Sequence, residues 1–376
     1  MQTPLCRKLG CELPIFAFSH CRDVIVEVTK AGGFGVLGAS TFSPEQLEAE
    51  LRWIDQHTAG KPYGVDVLIP TAYDKEAEKA VDDLERLIPD EHRRFLDDML
   101  RARDVAELPA DERARVHREI VTGRGSMTPD GARRLLRVAF EHPQVTLVVS
   151  ALGSPPQDVI DELRSRNIMV GALCGKAAHA RRHLEAGVEL IIAQGTEAGG
   201  HTGEIATMVL VPEVVRACGD RAFVLAAGGI ATGEQILAAQ ALGAQGVWCG
   251  TLWLGTRESE LDPFEKEALF AAGADDTARR KARTGKTVRM LKSDLSEAWE
   301  KPGAPAYLPT PLQGILYNEA HARVVRAKRR DLYSFPAGQV VGMIDEETSV
   351  RDVMFRLQME YVDAAERLRG ISLGEA

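Results

Sequence analysis

The run LIIAQGTEAGGHTG, beginning at Leu190, places His201 among Gly195, Gly199, Gly200 and Gly203 directly after a stretch of apolar, strand-forming residues. Imidazole is the one side chain whose unperturbed charge change falls near neutral pH, so a histidine held over a ligand can take or give a proton there. Glycines beside it let the backbone come close to that ligand, adopt positive φ and leave amide hydrogens pointing at it. Two further turns have the same character: Gly228 and Gly229 follow FVLAA, and Gly250 and Thr251 follow GVWC. Backbone amides in such turns, with a helix N-terminus behind them, suit a phosphate. Thr232 is the expected cap of that helix.

Such residues act together only if one framework gathers them. Short apolar runs alternate with helical patterns along the chain, and the expected strands are residues 13–18, 35–37, 64–69, 145–150, 168–172, 189–194, 223–227 and 246–249. Several are continuously apolar (VTLVVS, FVLAA), as in strands buried on both faces. The expected fold class is therefore α/β, a (β/α)8 TIM barrel. Its active site belongs at the C-terminal strand ends, and the loops after strands seven and eight commonly form a phosphate site. The barrel is expected over 1–257, interrupted after the third strand by a helical insertion at about 73–140, in which Thr128 before Pro129 starts a helix. Residues 258–340 read as a small, mostly helical lobe. Residues 341–376 read as a C-terminal helix returning to the barrel, with Val353, Phe355, Leu357, Met359, Tyr361, Val362 and Leu368 partly on one face.

Composition narrows the class. With 376 residues, 45% of them hydrophobic, the chain can bury a large core. Its apolar runs fall far short of the roughly 18 residues that cross a bilayer, and MQTPLCRKLGCELP lacks a secretory apolar core, so a cytoplasmic protein without a membrane partner is expected. A net charge of −9 argues against nucleic acid. One stretch runs the other way: RRKARTGKTVRMLK, from Arg279 to Lys292, carries seven basic residues. Its usual fate is a solvated or salt-bridged face, and the alternative is contact with an anionic cofactor or substrate. The six cysteines form no CxxC pair and read as buried thiols, and no metal site is expected. In HARRH, His179 and His183 have a zinc-like spacing without the following Glu, and an exposed helix face is expected instead. TGKT at Thr284 lacks the upstream glycine of a phosphate loop.

At its glycine-rich strand ends the chain resembles the nitronate monooxygenase family, also called 2-nitropropane dioxygenases, FMN-containing barrels related to flavin-dependent enoyl-acyl-carrier-protein reductases. The segments that carry the resemblance are AGGFGVLGAS at Ala31, AQGTEAGGHTG at Ala193, AAGGIATGEQILAAQALGAQGVWCGT at Ala226, PLQ at Pro311 and AGQ at Ala337. The resemblance implies FMN, with its phosphate near Gly228, Gly229, Gly250 and Thr251, its ring near Gln194, Gly195 and Gly200, and Gly199 among its contacts. It implies further cofactor contacts from Ala17, Phe18, Ser19, Asp66, Ser150 and Lys176. His201 falls on the position of the catalytic histidine in nitronate-oxidising members.

The chain departs from the family pattern in three places. Ala17, Phe18, Ser19 and His20 stand where an APM turn is usual, Asp66 where an asparagine is usual, and Lys176 where a small polar residue is common. One expectation is that Lys176, paired with Asp66, stabilises negative charge on reduced flavin. The other is a helix-start lysine pointing to solvent.

Four activities stay open at this point. The first is oxidation of alkyl nitronates with O2, and the second is NAD(P)H-dependent reduction of a quinone or enoyl thioester. The third is a non-redox, phosphate-binding lyase or isomerase using Lys176 as a Schiff-base amine. The fourth is flavin binding without turnover. The expected partner is a small-molecule substrate, and a homodimer is compatible with the sequence.

Overall fold

β1 (Ile15–Ser19), β2 (Phe34–Gly38), β3 (Tyr63–Asp66), β4 (Val145–Ser150), β5 (Met169–Cys174), β6 (Leu190–Gln194), β8 (Phe223–Ala227) and β9 (Gly246–Cys249) close into a parallel barrel, with β9 pairing back onto β1. β7 (Gly200–His201) lies in the loop after β6. This is a computed structural model, and it describes residues 1–70 and 81–370. Residues 73–80 of the expected insertion and 371–376 of the C-terminal segment lie outside that range. Each of the eight expected strands overlaps a barrel strand, because continuous apolar runs are what a sheet buried on both faces requires.

Alternation along the strands separates two cores. Phe16, Phe34, Leu147, Val149, Ile192, Leu225 and Trp248 fill the barrel interior together with Leu5, Cys6 and Leu9 of α1 (Pro4–Leu9). Ile15, Ala17, Val148, Ile191 and Val247 face the surrounding helices. These include α2 (Arg22–Lys30), α3 (Pro44–His57), α8 (Gln157–Ser165), α9 (Ala177–Ala186), α10 (Thr207–Cys218) and α11 (Gly233–Ala241). α11 starts as the sequence suggests, with Thr232 and Gln235 forming a reciprocal capping box. The last helix, α15 (Val350–Gly370), packs between α11 and α2 and closes the ring. A side chain at Gly233 would collide with the Tyr361 backbone nitrogen, so glycine sets this close crossing. The inward face of α15 is Val350, Val353, Met354, Leu357 and Ala364, whereas Phe355, Met359, Val362 and Leu368 are exposed. The expected apolar face thus divides between core and surface.

The insertion contains α4 (Val81–Glu85), α5 (Asp90–Arg101), α6 (Ala110–Ser126) and α7 (Pro129–Phe140), the last capped by Thr128, whose hydroxyl accepts from Gly131 N at 2.9 Å. The segment after the barrel contributes α12 (Pro263–Phe270), α13 (Asp294–Ala298) and α14 (Leu312–Arg326). It also holds a hairpin that the helical reading lacked, β10 (Thr277–Arg280) and β11 (Val288–Leu291). Val288 and Met290 join a buried cluster with Leu84, Leu96 and Leu100 of the insertion and Trp299 and Tyr317 of the later segment. Two stretches far apart in sequence therefore share one core beside the barrel. Buried Arg323 of α14 ties them further, donating to Val105 O, Ala106 O and Asp97.

Candidate active site

The strand that extends the hairpin is β7, so the basic run folds directly against the histidine loop. In this three-stranded sheet His201 stands opposite Val288 and Gly200 opposite Arg289. Arg289, 8% exposed, donates from Nε to Thr196 O at 2.7 Å and from Nη1 to Thr277 Oγ1 at 3.0 Å. Arg279, directly opposite it in the ladder, donates to Thr202 O at 3.4 Å. Two guanidinium groups thus grip both ends of the 196–202 loop. Among the described residues neither has a carboxylate partner, although like charges directly opposite in a sheet are unfavourable. Arg280, on the other face, pairs with Glu297 at 3.0 Å. The basic run is accordingly part salt-bridged surface and part wall of the site.

His201 itself is exposed, with Nε2 3.0 Å from Thr284 Oγ1, inside the TGKT turn. Desolvation by the crowding protein, then the charges of Lys286 and Arg283, hold its pKa below the ordinary histidine value. The imidazole is therefore neutral at pH 7 and able to accept a proton.

Contacts behind the loop fix the glycines. Glu197 of the EAGGH element is a lock, accepting from Thr207 N and from Thr207 Oγ1 at 2.9 Å. Thr207 Oγ1 also lies 3.0 Å from Gly228 O, joining the turn after β6 to the turn after β8. Gly228 and Gly229 both have positive φ, +94° and +72°, which glycine adopts without strain. Thr251 Oγ1 accepts from Gly338 N at 2.8 Å, and Gln339 N donates to Glu197 O at 2.9 Å. The AGQ segment is thereby laid across the same end of the barrel.

The N–H groups of Gly228, Gly229, Gly250 and Thr251 meet no acceptor among the described residues. They form a cradle of free donors at the ends of β8 and β9, suited to a phosphate. The expected helix N-terminus behind them is different. The amides there are already used: just ahead of α11, Ala231 N and Thr232 N donate to Gln235 Oε1, and its first amide, Gly233 N, donates to Glu360 Oε2 at 2.8 Å. A carboxylate from α15 fills the place where an anion would sit.

The other expected positions spread around the mouth. Ala17 is buried at the end of β1, and Phe18 stacks on Trp248 with centroids 5.8 Å apart and lies beside Gly250. Ser19 Oγ accepts from Cys21 N and serves the start of α2. Ser150, fully buried at the end of β4, has a hydroxyl without any partner among the described residues. Gln194 ends β6 half-buried. Gly195 and Gly199 are enclosed, by Thr207 and by the Ala337–Gly338 backbone respectively, while Gly200 faces open space. Lys176 is exposed at the N-terminal cap of α9, and no ion pair joins it to buried Asp66. The solvent-facing reading of Lys176 is the one seen, and the desolvation that would activate a Schiff-base amine is missing.

Asp66 pairs in register with Gly38 and is 3% exposed. Burial raises its carboxyl from the usual 3.8 to about 7. Between these values the folded state keeps a proton that the unfolded chain releases, so the associated stability is full below 3.8 and lost as pH rises through about 7. Asp66→Asn is expected to stabilise the cofactor-free protein at pH 8 by up to about 4 kcal/mol, with the gain vanishing near pH 4. Urea unfolding at the two pH values checks this, and an equal gain at both would contradict it.

Two residues at the mouth went unassigned in the sequence. His20 follows β1, its Nδ1 donating to Gly38 O at 2.8 Å and its ring edge-on to Phe18. Burial lowers its pKa, opposed by the Gly38 bond and aided by the charge of Arg283. Arg283, whose charge also reaches His201 and His321, has a buried Nη1 without a hydrogen-bond partner among the described residues. The sequence noted His20 only as a departure from a family turn and Arg283 only within the basic run, and it is the hairpin that brings Arg283 to the mouth. Elsewhere, His183 is buried rather than exposed, with Nδ1 2.7 Å from Ser154 Oγ and Nε2 donating to Leu173 O. Both nitrogens are used, so it forms no zinc pair with His179. All six cysteines are buried free thiols. Among the described residues no helix is long and apolar enough to cross a membrane.

A closed parallel barrel whose C-terminal mouth gathers glycine turns, free amides and a neutral histidine defines a (β/α)8-barrel enzyme. Residues 20–360 match the family model described as nitronate monooxygenase. The chain belongs to the nitronate monooxygenase family and is an oxidoreductase; members of this family are flavoproteins, typically with FMN. It is 47% identical over 379 residues to a Mycobacterium tuberculosis protein provisionally named a monooxygenase, covering 99% of each chain. It is 26% identical over 307 residues to a Staphylococcus aureus protein named probable nitronate monooxygenase, covering 78% of this chain and 79% of the relative. In structure it is similar to nitroalkane oxidase from Streptomyces ansochromogenes, with TM-score 0.79 and 26% identity over 97% of this chain and 99% of that one. It is also similar to FabK from Thermotoga maritima, with TM-score 0.73 and 26% identity over 99% of each chain. Family membership sets aside the non-redox lyase or isomerase.

Proposed function

We propose that this chain is an FMN-dependent oxidoreductase that oxidises alkyl nitronates with O2, with His201 as its proton-transfer group. The observation that carries the reading is His201 itself, exposed on the loop after β6, held by Thr284 and kept neutral by its surroundings. The mouth fits the cofactor: free amides of Gly228, Gly229, Gly250 and Thr251 would take the phosphate, and the orphaned Ser150 hydroxyl and open Gly200 would face the ring. FMN, when bound, supplies the electron-transfer chemistry.

The chain's own groups do the rest. His201 Nε2 or Nδ1 accepts the acidic carbon proton of a neutral nitroalkane, and Lys286 and Arg283 beside it favour the anion that results. The same charges oppose the imidazolium, so the base survives below the pH at which an ordinary histidine is protonated. Arg289 and Arg279 hold the loop at both ends, which keeps the imidazole in one place. Arg289→Met is expected to lower kcat/KM for a neutral nitroalkane roughly tenfold or more by loosening that loop, read as oxygen uptake; an unchanged value would show that the grip is dispensable.

A second reading, NAD(P)H-dependent reduction of a quinone or enoyl thioester, draws on one observation. Arg279 Nε and Arg283 Nη1 are buried without acceptors among the described residues, which would suit a phosphorylated donor or acyl carrier. Anaerobic mixing separates the two. Propyl nitronate is expected to bleach the flavin; bleaching by NADPH alone favours the reductase, and bleaching by neither points to flavin binding without turnover.

A further inference from the structure

We propose that α15 is a self-complementary surface through which two copies of this chain pair antiparallel about a two-fold axis. The helix lays one face on the barrel and leaves Phe355 64%, Met359 46% and Val362 47% exposed on the opposite one. These three, at i, i+4 and i+7, form one stripe of large apolar side chains. A helix that covers a barrel needs only its inward face apolar, so a second apolar stripe calls for a second partner.

The partner's identity follows from the order of residues along the stripe. It reads Arg351, Phe355, Gln358, Met359, Val362, Glu366, and the steps of four, three, one, three and four residues are the same from either end. An antiparallel copy with the axis between Gln358 and Met359 sets Arg351 against the partner's Glu366. It sets Phe355 against the partner's Val362, and Met359 against the partner's Gln358. Each contact occurs twice, as an isologous interface requires. Arg351 and Glu366 are exposed, and neither has an ion pair among the described residues, so both are available to fix the register. They lie about 22 Å apart along the helix axis, which makes the two ion pairs the ends of the contact. Beside the stripe lies an open groove of about 480 Å³ of mixed character, lined by Met1, Gln2, Glu12, Leu13, Gln358 and Val362. Together these features describe a surface made for a copy of itself, and none depends on which substrate the barrel oxidises.

Sedimentation of the full-length holoenzyme over a range of concentrations tests the proposal. A dimer is expected at micromolar protein, and Phe355→Glu is expected to raise its dissociation constant roughly a hundredfold or more. Arg351→Glu places carboxylates against the partner's Glu366 at both ends and is expected to weaken the dimer roughly tenfold or more, whereas Arg351→Glu combined with Glu366→Arg restores it. Misfolding would not be rescued by the second substitution. A monomer at all concentrations, a dimer indifferent to Phe355→Glu, or failure of the double variant to recover would overturn the proposal.

Discussion

His201→Asn is expected to lower kcat/KM for a neutral nitroalkane by roughly 10²- to 10⁴-fold, the usual worth of a positioned general base. The preformed nitronate has already lost its carbon proton, so its oxidation should fall far less, and the protein should stay yellow. Measuring oxygen uptake with both forms of one substrate gives the ratio directly. Equal losses for the two would assign His201 to binding instead of proton transfer. The pH profile adds a sign. The pKa of His201 lies below the usual 6.5, so kcat/KM for the nitroalkane should rise with pH through that lowered value and then level off. Lys286→Met removes the larger of the two charges opposing the imidazolium and should shift this acid limb upward. A limb that stays in place would mean that the charge is not felt in the free enzyme.

Gly195→Ala is expected to destabilise the protein by about 3 kcal/mol or more and to strip it of flavin. A Cβ there would overlap the Thr207 hydroxyl and come within 2.5 Å of the Thr207 backbone nitrogen, where no rotamer change gives relief. The clash falls on the lock that joins Glu197, Thr207 and the turn after β8, so the damage should pass to the phosphate cradle. Gly200→Ala is the comparison. Its Cβ meets open space, leaving only the left-handed strain of φ +83°, on the order of 1 kcal/mol. Urea unfolding and retained flavin absorbance rank the two variants. A Gly195→Ala protein as stable and as yellow as Gly200→Ala would show that the lock can shift without cost.

Much of this architecture could be read from local pattern. The barrel strands are continuous apolar runs, and a run such as VTLVVS or FVLAA has few other destinations than a sheet covered on both faces. The caps Thr128 and Thr232 sit where their hydroxyls reach the third amide of the following helix, a relation contained within four residues. The glycine turns were legible for the same reason, since positive φ and close approach are demands on single residues.

What escaped the sequence depends on long-range pairing. The hairpin from Thr277 to Leu291 is short, basic and poor in the usual strand signals, and it is a sheet because β7 offers it an edge and the insertion offers it a core. That pairing brings Arg283, Arg289 and Lys286 to His201, some eighty residues away in sequence. The occupation of the α11 N-terminus by Glu360 is equally non-local.

The sequence by itself determined the barrel, its strand ends and the histidine among the glycines, because local chemistry dictates each of them. Only the tertiary structure decided which charges surround that histidine, which amides remain free for a phosphate and which face of α15 is left uncovered. These are questions of what a residue meets across the fold, and composition and spacing do not fix the answer.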